Sequence, residues 1–275
     1  MIASIRSEWR KTRRRPAFLV SAALLPAAML FAYIYLYWSY THPTAREAAT
    51  AAHDLAGLYP ADFTNNALQI AFALGALVAI VVGAIGFGSE YGWGTIKTLL
   101  SQRPGRLANL AGRLATLGAC MAILTLAIFG ASAIGSLAAA LLQGQPIVWP
   151  GASTVAGAVG GIWLIYSTYA LLGAGLGVVF RQAAAAVAIS LIYLVVVERV
   201  VVQRLADVGW PPAVNAGKLF IGVNATALVQ LLDTAPAPHA PAPAVGAGQA
   251  VLVLSAYALL FIVVAAGLVW RRDVT

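Results

Sequence analysis

The chain has 275 residues, 61% of them hydrophobic, and a mean hydropathy of +0.86, which excludes an ordinary soluble domain and specifies a membrane protein. Its net charge of +8 comes from only 17 basic and 9 acidic residues. In a soluble chain that balance points to nucleic acid; here the placement of each charge carries the information, and no nucleic-acid partner is expected.

Residues 1–16 read as an amphipathic helix. Ile2, Ile5 and Trp9 fall on one stripe, with Arg6, Arg10 and Arg13 largely opposite. Such a helix lies on a bilayer surface, with Trp9 in the interface and Arg10 and Arg13 reaching anionic headgroups. A helix needs about 20 apolar residues to cross a bilayer core, and the first such stretch is 17–40. It exceeds the core of a cleaved signal peptide, about 7–15 residues. It also ends in Tyr33, Tyr35, Tyr37, Trp38 and Tyr40, a belt suited to the membrane interface. It is read as a retained anchor.

Residues 41–66 form a helix-prone loop containing His42, His53, Asp54 and Asp62. These histidines and His239 lack the short ligand spacing of a metal site, so no metal is expected. The second span is 67–88, with Asn65, Asn66 and Gln69 at its start as candidates to line an exit. A basic, glycine-punctuated segment follows, SEYGWGTIKTLLSQRPGR, within a loop read as 89–113. Gly92 and Gly94 end the span, Thr95 can cap a new helix, and Ile96–Leu100 gives that helix an apolar core. Pro104-Gly105 stops it, leaving Glu90, Lys97, Arg103 and Arg106 exposed. A plain connector would not need Ile96, Leu99 and Leu100.

The third span, 114–142, holds the single cysteine, Cys120, which excludes an intrachain disulfide and a cysteine-cluster metal site. A turn at 143–151 leads to the fourth span, 152–180. Its Gly173 and Gly177, like Gly83, Gly86 and Gly88 on the second, read as tight helix packing. The fifth span, 183–202, is barely long enough and carries Glu198 and Arg199. One reading puts both at the outer headgroup level; the other makes Glu198 part of a gate. Within 203–246, the apolar run 218–232 is too short to span and reads as re-entrant or interfacial. The tract APAPHAPAPA at 235–244 reads as polyproline-like, and the Asn224-Ala225-Thr226 triplet as a coincidental sequon. The sixth span is 247–270.

Orientation follows from the cations. Arg6, Arg10, Lys11, Arg13, Arg14, Arg15, Lys97, Arg103, Arg106, Arg113, Arg181, Arg271 and Arg272 share one side of a six-span arrangement. Arg46, Arg199, Arg204 and Lys218 take the other. Both termini are therefore expected in the cytoplasm. No G-x-x-x-x-G-K-[ST] occurs, so the chain carries no P-loop, and no polar cluster suggests an enzyme. The expected architecture is a single all-α transmembrane domain.

The segment after span two resembles that of the permease subunits of type-2 ABC transporters. Their pattern is an acidic residue, then G-T-[LI]-[KR], a leucine-rich stretch and a basic residue before span three. Glu90, Gly94, Thr95, Ile96, Lys97, Leu99, Leu100, Arg106 and Arg113 match it, with Arg113 standing where the family often has lysine. Glu8 and Lys11 in SEWRKTRRR resemble the family's amphipathic connecting helix. The resemblance implies that Glu90, Gly94, Thr95, Ile96, Lys97, Leu100, Arg103 and Arg106 form a coupling helix. That helix would seat in a separate ATP-binding-cassette subunit, two copies of which would bind ATP and Mg. It further implies a second permease chain, identical to this one, in a bacterial cytoplasmic membrane. Spans two and five would line the pathway, with Asn66, Gln69, Phe72, Tyr193 and Glu198 as pathway or gate candidates. Their apolar character favours export of a hydrophobic or amphiphilic compound such as a drug, peptide antibiotic or lipid. The alternatives are a permease for a polysaccharide or metal-associated factor, and a scaffold or receptor-like subunit that moves nothing.

Overall fold

The computed structural model describes residues 2–44, 48–92, 106–202, 204, 210–235 and 241–271, and among these no strand occurs. The α-helices are α1 (Ile2–Thr12), α2 (Pro16–Thr41), α3 (Ala51–Ala56), α4 (Phe63–Gly92), α5 (Arg106–Leu142), α6 (Ala152–Phe180), α7 (Ala183–Ile192), α8 (Pro211–Gly217), α9 (Ile221–Leu232) and α10 (Ala247–Arg271). A 3-10 turn, Pro60–Asp62, leads into α4, and a π-helical stretch, Tyr193–Val201, prolongs α7.

Among the described residues five helices are long and apolar enough to cross a membrane: Pro16–Thr41, Pro60–Ser89, Ala108–Leu142, Ala152–Phe180 and Ala247–Leu268. The segment expected as a further span falls, as Ala183–Glu198, in a shorter apolar class with Ile221–Leu232. Two boundaries differ from the sequence reading. α4 continues through Gly92 and α5 starts at Arg106, so the interval read as a loop over 89–113 is shorter at both ends. The reason is visible at Arg113. Its guanidinium lies 4.6 Å over the Phe87 ring and donates to the Gly86 carbonyl at 2.9 Å, so the charge is accommodated inside the helix pair.

α4 and α6 form the centre. A Cβ on Gly83 would collide with the Ala170 carbonyl, and one on Gly173 with the Ile80 carbonyl. The Tyr166 ring lies across Gly75, and its hydroxyl donates to the Ala71 carbonyl at 2.9 Å. Water cannot drive helices together inside lipid, so this close backbone approach, with the dispersion contacts it permits, carries the association. The small-residue stripes thus pack the two spans onto each other. α5 adds Leu117, Met121, Leu124 and Ile128, all buried. α2 buries only Phe18, Ser21, Leu25, Met29 and Tyr33, one helical stripe, and exposes Leu19, Val20, Leu24, Phe31, Ile34 and Trp38. Such a division suits a helix with lipid on its outer face.

Two turns fix how the long helices join. After α5, Gly144 takes a φ of 63°; Gln145 N–H bonds to the Ala140 carbonyl at 2.9 Å and Gly144 N–H to that of Leu141 at 3.3 Å. This is the Schellman closure that a glycine permits. After α6, Arg181 adopts a left-handed φ of 56° before Gln182 returns to an extended conformation and α7 begins. A side chain in that region costs about 1–2 kcal/mol. Arg181→Gly should therefore raise the melting temperature in detergent, and Arg181→Val should lower it.

Candidate functional site

Polar groups tie this apolar bundle together at three levels. At the carboxyl end of α4, Arg15 from the α1–α2 junction donates to the Ile85 and Gly86 carbonyls at 3.3 and 3.2 Å. Arg113 of α5 reaches the same Gly86 carbonyl. A carbonyl has two lone pairs, so each of these can accept a charged donor in addition to its helical N–H. Nearby, Glu8 is buried and pairs with Lys11 at 2.7 Å, and Trp9 meets Phe18 edge-on with ring centroids 6.3 Å apart. Arg10 and Arg13 are exposed.

At the amino end of α4, Ser132 Oγ donates to the Phe63 carbonyl at 2.7 Å and sits 3.0 Å from the Tyr33 hydroxyl. Asn66 donates to that hydroxyl at 3.3 Å and to the Gly57 carbonyl at 2.8 Å. Asn65 donates to Asp62 and accepts from the Thr234 N–H and hydroxyl, each bond 3.1 Å long. Gln69 donates to Asp233 at 3.2 Å. A cavity of about 310 Å³ opens beside this layer, with Tyr40, His53, Asp54, Asp62, Asn65 and Asn66 in its wall. No group of three or more His, Cys, Asp or Glu placed to hold a metal occurs among the described residues.

The third level centres on Glu198. Its Oε2 accepts the Tyr169 hydroxyl at 2.7 Å and its Oε1 accepts the Gly222 N–H at 2.8 Å. Tyr193 and Tyr257 lie within electrostatic range of the same carboxylate. Tyr169 is 1% exposed. At 1.5 Å per residue it stands about 25 Å along α6 from Ala152 and about 17 Å from Phe180. A bilayer core is about 30 Å thick, so this depth lies inside the hydrocarbon. Glu198, in the π-helical stretch that prolongs α7, is held at that same level on α6.

The sequence-predicted residues divide accordingly. Asn66 and Gln69 come together in the amino-end layer, where both are engaged in hydrogen bonds. Phe72 and Tyr193 are half-buried against the core. Gly94, Thr95, Ile96, Lys97, Leu99, Leu100 and Arg103 lie outside the described residues, as do the side chains of Glu90, Arg106 and Arg199 within their helices. Asn224 is buried, and its amide donates to the Lys218 and Phe220 carbonyls at 2.8 Å, which leaves no room for a glycan. Tyr169, Gly222 and Arg15 were not singled out from the sequence. Only Tyr169 gave a signal: a phenol midway along an apolar span needs a buried partner.

An all-helical bundle with five membrane-length spans, cross-linked by isolated polar contacts, defines a multi-pass integral membrane protein. The chain belongs to the ABC-2 family: the family described as ABC-2 family transporter protein matches residues 4–197. It is thus a type-2 ABC transporter permease, a membrane transport subunit of a family that works with an ABC ATPase in a lipid bilayer. No curated protein matches the sequence.

Proposed function

We propose that the chain is the permease half of an ATP-driven exporter for a hydrophobic or amphiphilic compound. The family match over residues 4–197 carries this reading, because that interval contains the whole Glu90–Arg106 segment. Residues 183–202 serve as the fifth of six spans, and α9 as a re-entrant helix. The basic side, with both termini, faces the cytoplasm of a bacterial cell. Glu90, Gly94, Thr95, Ile96, Lys97, Leu100, Arg103 and Arg106 engage a separate ABC ATPase, present in two copies and supplied with ATP and Mg. Trp9, Arg10 and Arg13 hold α1 on the inner leaflet. The exposed apolar side chains Leu74 and Leu77 on α4, with Ile192, Val195 and Val196 around α7, support a surface shared by the pathway and an identical second permease chain.

The test is the complex itself. The full chain purified from its native membrane should retain an ABC ATPase, identified by mass spectrometry, and stimulate its hydrolysis in proteoliposomes. Reversing two charges together, Glu90→Lys with Lys97→Glu, should reduce that stimulation more than tenfold, a loss of about 1.4 kcal/mol or more in coupling. A double reversal with unchanged complex and unchanged stimulation would overturn the coupling assignment.

A further inference from the structure

α9 starts without a cap of its own. The residue before it is Phe220, which offers no side-chain acceptor. The first N–H groups of any helix have no partner within it, and at this depth no bulk water is present to supply one. The acceptor comes from another span: Glu198 Oε1 takes the Gly222 N–H at 2.8 Å. A carboxylate also suits the positive end of the α9 dipole. Its second oxygen is taken by Tyr169 at 2.7 Å, which fixes the direction in which the first one points. The fit is close, since a Cβ on Gly222 would lie 2.5 Å from Oε2 and 2.8 Å from Cδ. At the other end of α9, Asp233 accepts from Gln69, and Leu232 packs over Gly161. The helix is therefore held at its two ends by polar contacts from different elements, the π-helical stretch after α7 at its amino end and α4 at its carboxyl end.

We infer that Glu198 is the positioning residue of α9: its carboxylate, aimed by Tyr169, pins the amino end of this half-length helix at mid-membrane depth, and this contact opens when α9 moves clear of the pathway. Glu198 on this account holds a gate segment, with one oxygen on Tyr169 and the other on Gly222. The inference rests on the permease reading for what the gate admits, but the pinning belongs to the chain alone.

Hydrogen–deuterium exchange of the full chain in lipid nanodiscs, followed by mass spectrometry, reads the pinning directly. Glu198→Gln keeps an acceptor and removes the charge; amides in the first turn of α9 should exchange about tenfold faster, as expected for losing a charged cap. Gly222→Ala, which leaves the carboxylate intact and displaces it, should give the same local signature. It also keeps the test open if Glu198→Ala fails to fold. Amides in α10 serve as the control and should not change. Unaltered exchange in α9 for both variants, or equal acceleration in α10, overturns the positioning role. The gate is read separately, as ATP-independent leak of calcein from proteoliposomes. Glu198→Gln should raise it several-fold; faster exchange without added leak overturns the gating half. Failure of the permease reading would instead appear as absence of an ATPase partner, with the exchange result untouched.

Discussion

Replacing Gly83 with leucine should prevent the protein from accumulating in a folded form. The position leaves no alternative packing, because a Cβ there would meet the Ala170 carbonyl, and backbone cannot rotate away as a side chain can. Overfilling a packed core costs about 1–3 kcal/mol and sometimes more, and here separation of α4 from α6 would also strip contacts along both helices. The reciprocal change, Gly173→Leu, meets the Ile80 carbonyl and should be equally damaging. Gly86→Leu is the control: nothing lies within 4 Å of its Cβ position, and the variant should fold. Monodisperse yield in mild detergent and fluorescence-monitored melting distinguish the three. If Gly83→Leu melted within a degree or two of the native chain, the central α4–α6 approach would be wrong.

Ser132→Ala should destabilise the bundle by about 1–3 kcal/mol. One hydroxyl there serves two neighbours: it donates to the Phe63 carbonyl at the start of α4 and meets the Tyr33 hydroxyl of α2. Ser132 is fully buried, so no water replaces it. Interhelical hydrogen bonds in membranes average below 1 kcal/mol when taken singly, and the larger figure expected here reflects two partners lost at once. Tyr33→Phe spares the Phe63 bond but loses the contacts to Ser132 and Asn66, and should cost a similar amount. Thermal unfolding of the two single variants and the double variant forms a cycle whose coupling term measures the shared bond. A coupling near zero would mean that Tyr33 and Ser132 are neighbours without being partners.

Much of this arrangement was legible in the sequence, for a physical reason: span location depends on local apolar length alone. The stretches 17–40, 67–88, 114–142, 152–180 and 247–270 each fall within a long helix. Gly173, Gly177 and Gly83 were legible as packing positions because only close approach makes such stripes useful inside lipid. Helix ends were less so. Arg113 looked like a loop cation, and only the Gly86 carbonyl and Phe87 ring, brought by another helix, allow it to sit within α5. The surroundings of Glu198 were not legible for the same kind of reason: Tyr169 comes from another helix, and Gly222 arrives from beyond a run of prolines that no periodicity connects to it. The family pattern from Glu90 to Arg106 was legible as a motif, and the family match over residues 4–197 includes it.

The unequal burial of the long helices bears on how the chain is made. An apolar 18-residue stretch of α6 is 67% buried within the protein, that of α10 only 17%. Synthesis runs from the amino end, and early segments fold before late ones emerge. The α4–α6 pairing, with α2 and α5 around it, can therefore form in the bilayer while α10 is still in the ribosome. α10 then arrives as a cover over that interior, its Leu254 carbonyl accepting the Thr168 hydroxyl. A ribosome paused just before residue 247 would hold a nascent chain whose centre is already assembled.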